Sequence, residues 1–200
     1  MKVVIDTNSL LSLVRYYLPF DKKSILFDFF KSKIEEGEII IIDKVYEECK
    51  YVAKGIILHK LNCLADDEFL KLSKLPLKTK DLLPPNPAEF LELMGNHFVN
   101  WTVRKQRKID NVEFETLKNN QIEDADIRQI VLCLNLMQTD ENVVLVTEET
   151  AGGNDNKLFK KIPAICKELG VKTMTLPELI EQYEEIELHF KSPNPVLSLF

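Results

Sequence analysis

The residues of this chain best suited to chemistry are carboxylates that lie next to predicted strand ends. Several carboxylates in one pocket raise each other's pKa values, and a hard divalent cation relieves the repulsion between them. A ligand set made only of oxygen favours Mg²⁺ or Mn²⁺, which can activate a water molecule and stabilise charge on a phosphoryl group. The acids placed in this way are Asp6, Glu48, Asp124, Asp126, Glu148 and Glu149.

Apolar runs predict the elements that position these acids. Residues 3–5 and 142–147 contain continuous runs rich in β-branched residues and too short for a helix, which is typical of strands buried on both faces of a parallel sheet. Asp6 ends the first strand and Glu149 follows the other. Because the carboxyl ends of parallel strands share one edge of the sheet, we expect the acids to converge there. Neighbouring polar residues predicted to support them are Thr7, Asn8 and Thr147.

The order of predicted elements indicates an α/β fold, namely a three-layer α/β/α domain with a central parallel sheet of four to five strands. Further strands are predicted at 38–42 and 171–175. One domain spans 1–200, with a helical insertion at about 51–120 where a proline cluster and a basic segment break the alternation. Helices are predicted at 10–17, between Asp21 and Gly37, after an N-cap at Asp43, near 88–94, at 122–137, between Pro163 and Gly170, and from Pro177 to about Leu188.

Composition narrows the class of protein. A hydrophobic fraction of 45% is ample for a core, and no apolar stretch reaches membrane-spanning length. The four cysteines are scattered without a C-x-x-C pair, which disfavours a structural zinc site and suits a reducing cytoplasm. The first residues form a predicted strand without a charged leader, so we expect no secretion. The net charge of −6 lowers the odds of a nucleic-acid substrate without excluding it, because bound cations reverse the local field.

Each acid taken alone has an ordinary structural explanation. Asp6 could cap a helix, Glu48 could lie on a solvated helix face, and Asp126 could favour the helix macrodipole. The prediction of a site depends on their joint placement relative to the buried strands.

The acids lie in four short motifs, which are Ile5-Asp6-Thr7-Asn8-Ser9, Val45-Tyr46-Glu47-Glu48, Ala125-Asp126-Ile127 and Val146-Thr147-Glu148-Glu149. In this order along the chain, the motifs resemble those of the PIN domain, a metal-dependent nuclease family. The resemblance covers roughly residues 1–50 and 121–180. Residues 161–170 are similar to an uncharacterised PIN-like branch among prokaryotic toxin–antitoxin candidates.

The resemblance implies hydrolysis of RNA phosphodiester bonds with Mg²⁺ or Mn²⁺. The implied catalytic and metal-binding acids are Asp6, Glu48, Asp126 and Glu149, with Asp124 as a reserve ligand. Since Glu149 stands where the family usually has Asp, it is open whether Glu149 or Glu148 is the fourth acid, and whether one or two ions bind. Many family members are toxins held by an antitoxin protein, and many form homodimers, so we expect both kinds of partner.

A basic segment in the insertion is the candidate for contacts with RNA. Its cations would bind phosphates and its tryptophan would stack on a base; the alternative is a solvated helix face with the tryptophan in the core. The residues are Trp101, Arg104, Lys105, Arg107 and Lys108.

Two other functions compete with a nuclease. The first is a non-catalytic scaffold that binds RNA or protein. It is favoured by Glu149, which stands where the family usually has Asp, and by the negative net charge of the chain. A phosphatase with a nucleophilic Asp6 is disfavoured, because that chemistry usually needs a second Asp where this chain has Asn8.

Overall fold

A computed structural model of the chain describes residues 1–139, 142–150, 156–184 and 186. In these residues, helices flank a parallel sheet, which confirms the predicted three-layer α/β/α fold. The predicted loop at 151–156, apart from Asn156, and the predicted tail from Ser192 onward lie outside the described residues.

The described residues form four strands: β1 (Lys2–Ile5), β2 (Ile39–Ile40), β3 (Val143–Val146) and β4 (Lys172–Met174). Their order is β2-β1-β3-β4, and every neighbouring pair is parallel. β1 and β3 are therefore central, and they pair with Ile5 opposite Val146. The strand order changes direction between them, and open α/β sheets bind ligands at the carboxyl ends of the strands at such a point.

Burial explains why the central strands are apolar along almost their whole length. Val3, Val4 and Ile5 of β1 are fully buried, and all four residues of β3 are buried. Helices cover both faces of these strands, so a polar side chain at any of these positions would be costly. Lys2, the first residue of β1, is only half-buried, and the next polar side chains appear where each strand ends.

Outside the insertion, each α-helix was predicted from the sequence, although the first of them begins at Thr7 rather than at the predicted Leu10. A π-helical turn (Leu13–Tyr17) and a 3₁₀ turn (Leu18–Phe20) extend the first of them. The helices in the described residues are α1 (Thr7–Ser12), α2 (Ile25–Glu35), α3 (Asp43–Tyr51), α4 (Ile56–Lys60), α5 (Asp67–Leu72), α6 (Pro87–Asn96), α7 (Trp101–Gln106), α8 (Asn111–Ile122), α9 (Ala125–Leu136), α10 (Ile162–Leu169) and α11 (Leu176–Gln182).

The predicted helix at 122–137 is wrong at its start. Ile122 ends α8, and α9 begins only at Ala125. Asp124 separates the two helices because its carboxylate accepts the Ala125 N–H at 2.7 Å and caps α9. The capped start places Asp126 in the first turn of α9, as predicted.

Two further predictions needed correction. Asp43 is the first residue of α3 rather than its N-cap, and its carboxylate instead accepts the Thr79 hydroxyl at 2.6 Å.

The final helix ends at Gln182, well before the predicted end near Leu188, which lies outside the described residues. Tyr183 leaves the helix with an extended backbone and buries its ring edge-on against Phe29.

The insertion at 51–120 packs on the same hydrophobic core as the sheet. Its buried contributions include Ile57, Leu61, Phe90, Met94 and Phe98. None of the helices within the described ranges combines the length and apolarity that a bilayer crossing requires.

Arg128 ties the insertion to α9. Its side chain is buried, and one guanidinium nitrogen donates to the carbonyl oxygens of Thr79 at 3.2 Å and Leu82 at 3.0 Å. The other terminal nitrogen donates to the carboxylate of Glu123. A buried cation that satisfies two carbonyl groups fixes the path of the chain leading into α6.

We expect Arg128→Met to lower the free energy of unfolding by about 2–3 kcal/mol, because hydrogen bonds from a charged donor are lost while the aliphatic stem is kept. Urea unfolding measures this change. The exposed Arg15 offers a matched control, and Arg15→Met should change the unfolding free energy by less than about 0.5 kcal/mol. Equal effects of the two substitutions would show that the Arg128 contacts do not stabilise the fold.

Candidate functional site

Asp6 directly follows β1 at its carboxyl end, and its backbone N–H donates to Val146 of the neighbouring central strand β3. It caps α1, since its Oδ1 accepts the Thr7 N–H at 2.7 Å. Its Oδ2 accepts the hydroxyl of Thr147, which follows β3, at 3.2 Å. The structural role as a cap and the position at the ligand-binding edge therefore belong to the same side chain, which is buried.

Glu48 reaches this edge from α3. The Thr7 hydroxyl donates to Glu48 Oε2. The charge of Glu48 acts on Asp6, raising the pKa of its carboxyl. Its neighbour Glu47 is exposed and instead pairs with Lys50 at 2.5 Å.

Asp126, in the first turn of α9, is affected by the charges of three other acids. Several causes together raise the pKa of its carboxyl to about 7, and burial is the largest of them. Nearby negative charges contribute to the rise, whereas the ammonium group of Lys157 opposes it. These charges belong to Asp6, Glu149 and Asp124, in decreasing order of effect.

The two acids after β3 point to different partners. Glu149 Oε2 accepts the N–H of Ile162, the first residue of α10, at 3.2 Å, and its Oε1 lies 3.5 Å from Lys157 Nζ. Glu148 Oε1 instead accepts the N–H of Leu176, the first residue of α11, at 2.8 Å, and the Ser9 hydroxyl at 3.3 Å. Of the two, Glu149 is the one whose charge acts on Asp126.

Burial is also the largest cause that raises the pKa of the Asp6 carboxyl. Hydrogen bonds from Thr7 and Thr147 oppose this rise without cancelling it. Asp6 and Asp126 are thus two poorly solvated acids whose charges repel each other. A bound cation would favour their ionised forms.

The donor chemistry fits Mg²⁺ or Mn²⁺, but the ligands are not gathered around one point. All four acids offer oxygen atoms, as these ions prefer. No group of three or more His, Cys, Asp or Glu side chains within the described ranges is arranged to hold an ion. Glu48 and Glu149 are engaged by Thr7 and by Ile162, so a shared ion would require these carboxylates to turn.

Of the predicted supporting residues, Thr7 and Thr147 contact the acids and Asn8 is exposed. Asp124 is also exposed and acts as the cap of α9. These positions bring the two threonines into the site and leave Asn8 and Asp124 at its rim.

Two residues of the site were not predicted from the sequence. Lys157 follows the segment 151–155, and nothing in the sequence marks it as a partner of Glu149. Gln129 is fully buried in α9, and its amide opposes the rise in the pKa of Asp6 that burial causes. An amide on the apolar face of a helix, three residues after Asp126, is a signal that could have been noticed.

The basic segment lies beside residues 156–159, which follow Glu148 and Glu149 in the chain. Val99 forms an antiparallel bridge with Phe159, and a guanidinium nitrogen of Arg107 donates to the carbonyl oxygen of Asn156. Arg104 stacks on Phe114, with its guanidinium carbon 3.9 Å from the ring centroid. Trp101 is half-exposed rather than in the core, and its indole N–H donates to Asn96. The exposed cations are Lys105, Arg107 and Lys108.

Comparison with known proteins gives one family. The family described as a domain of unknown function (DUF4411) matches residues 87–186, which is half of the 200-residue chain. A search of curated proteins found no match. The matched span contains Asp126 and Glu149, whereas Asp6 and Glu48 precede it.

Proposed function

Since the chain belongs to the DUF4411 family, whose description names no activity, we propose from its own chemistry that it is a metal-dependent endoribonuclease. The observation that carries the proposal is the placement of Asp126, largely buried in the first turn of α9, where the charges of other acids act on it and help to raise its pKa to about 7. Those acids come from separate elements of the fold. Such a concentration of repelling carboxylates at the ligand-binding edge of an α/β sheet is typical of a functional site.

The acids would hold Mg²⁺ or Mn²⁺ through Asp6, Asp126, Glu48 and Glu149. When bound, such an ion lowers the pKa of a water molecule and stabilises charge on a phosphoryl group. Thr7 and Thr147 orient Glu48 and Asp6 by hydrogen bonds. Their contribution is to keep the carboxylates from rotating freely at the edge of the sheet.

Cations beside the acids would bind the RNA backbone. The Lys157 ammonium group is largely exposed and lies next to Glu149. Lys105, Arg107 and Lys108 are exposed, and the residues that precede them, 98–100, pair with residues 158–160. Contacts of this kind supply affinity that is independent of sequence and falls with salt concentration.

The resemblance to PIN-domain toxins supports a cellular role as the toxin of a type II toxin–antitoxin pair. In that role an antitoxin protein binds the nuclease, and the nuclease forms a homodimer. Four free, buried cysteines are consistent with a reducing cytoplasm.

One observation favours a non-catalytic scaffold that binds RNA or protein instead. The described residues contain no ready group of metal ligands. If the protein is such a scaffold, its acids keep their structural roles as helix caps and bind Mn²⁺ weakly.

We expect the purified protein to cut a mixed pool of RNA in the presence of Mn²⁺ and to leave it intact in EDTA. Denaturing gels reveal the fragments, and calorimetry with Mn²⁺ alone measures binding of the ion. Fragments that also appear in EDTA would indicate a contaminating or metal-independent nuclease. Neither cutting nor Mn²⁺ binding would overturn the proposal and leave the scaffold.

A further inference from the structure

Gln129 lies on the same face of α9 as Asp126, because residues three positions apart are neighbours on a helix. α9 packs directly on β1 and β3, the strands that deliver Asp6 and Glu149. The Gln129 side chain is fully buried there. Its amide is thus enclosed in the layer beneath the acids.

The amide of Gln129 lacks hydrogen bonds. Neither its Nε2 nor its Oε1 has a partner among the described residues. The amide nevertheless lies beside the Asp6 carboxylate, although neither of its N–H groups meets the carboxylate with hydrogen-bond geometry. Because an ionised carboxylate only accepts hydrogen bonds, the amide N–H groups are the atoms that act on it.

An unsatisfied buried amide destabilises the fold relative to an apolar side chain of similar size. Its neighbours on α9 include the buried residues Ile130 and Leu132, so an apolar side chain would suit the core better. A buried polar group without a partner calls for a ligand or ion that completes its environment.

We propose that Gln129 is a positioning residue that holds the Asp6 carboxylate in the orientation that binds a divalent cation. This inference rests on the metal site proposed above. Without the cation, Asp6 is held by the Thr7 N–H and the Thr147 hydroxyl. When the carboxylate turns towards the cation, the Gln129 amide is the buried donor that restrains it.

The test is Gln129→Met, which keeps the length of the side chain and removes the amide. We expect Mn²⁺ to bind the variant about 10–100 times more weakly in calorimetry, the usual effect of removing an outer partner of a metal ligand. The melting temperature of the metal-free variant should rise by roughly 2–4 °C, because the unsatisfied amide is gone.

Leu132→Met is the matched control, since it places the same side chain in the same helix without removing an amide. It should leave Mn²⁺ affinity unchanged. Equal Mn²⁺ affinity of Gln129→Met and the unchanged protein would overturn the inference and leave the proposed function standing. Absence of Mn²⁺ binding to the unchanged protein would overturn both.

Discussion

Asp126→Asn should reduce Mn²⁺-dependent cleavage of RNA by at least about 1,000-fold, which corresponds to roughly 4 kcal/mol of transition-state stabilisation. The reason is that Asp126 is the acid on which the charges of Asp6, Glu149 and Asp124 act. The amide of asparagine is nearly isosteric with the carboxylate but neutral, so it binds a divalent cation poorly. Single-turnover cleavage of a labelled RNA measures the effect.

The same substitution should leave the metal-free fold intact or stabilise it at pH 8, because one of several repelling charges is removed. Thermal unfolding in EDTA measures this. Asp66→Asn is the matched control, since Asp66 caps α5 and is absent from the acid site, and Asn caps helices as well as Asp. Retained cleavage by Asp126→Asn would exclude Asp126 from the reaction, and a large loss of metal-free stability would indicate a purely structural acid.

The metal-free protein should lose stability as the pH rises from 5 to 8. The pKa of Asp126 is raised from an ordinary value of 3.8 to about 7 in the fold, so the folded state binds more protons than the unfolded state in this range. The free energy of unfolding then falls with pH. The expected change between pH 5 and 8, reduced for partial solvent exposure, is roughly 1–3 kcal/mol. Asp6, whose pKa is also raised, acts in the same direction.

Urea unfolding at the two pH values, in EDTA, measures the effect. Because Asp6 also contributes to this pH dependence, the effect of Asp126 has to be separated from that of other groups. The informative quantity is therefore the difference between the unchanged protein and Asp126→Asn. An identical pH dependence of the two would show that Asp126 is ionised normally. Saturating Mn²⁺ should reverse the slope, since the cation competes with protons for the acids.

The fold class follows from local patterns. Apolar runs at 3–5 and 142–147 could only be strands covered on both faces, and alternation with amphipathic helices required a parallel sheet. That geometry brings strand ends and helix starts to one edge, so the neighbourhood of Asp6 and Asp126 was predictable from periodicity. Each step uses residues close together in sequence.

Helix ends were predicted less well because they depend on distant contacts. Asp43 was expected to cap α3, but the Thr79 hydroxyl, 36 residues away, takes its carboxylate. The early end of α11 reflects the packing of Tyr183 on Phe29. Neither partner can be inferred from the local pattern.

By itself, the sequence determined an α/β sheet whose central strands deliver acids to a common edge. Only the tertiary structure decided which side chains act on one another there: the charge of Glu149 acts on Asp126, Glu148 accepts the first N–H of α11, and Gln129 lies beside Asp6. Hydrophobic periodicity specifies the face on which a residue lies, whereas its partner depends on side-chain directions in elements far apart in the chain. The burial that raises the pKa values of Asp6 and Asp126 arises only when those elements pack together.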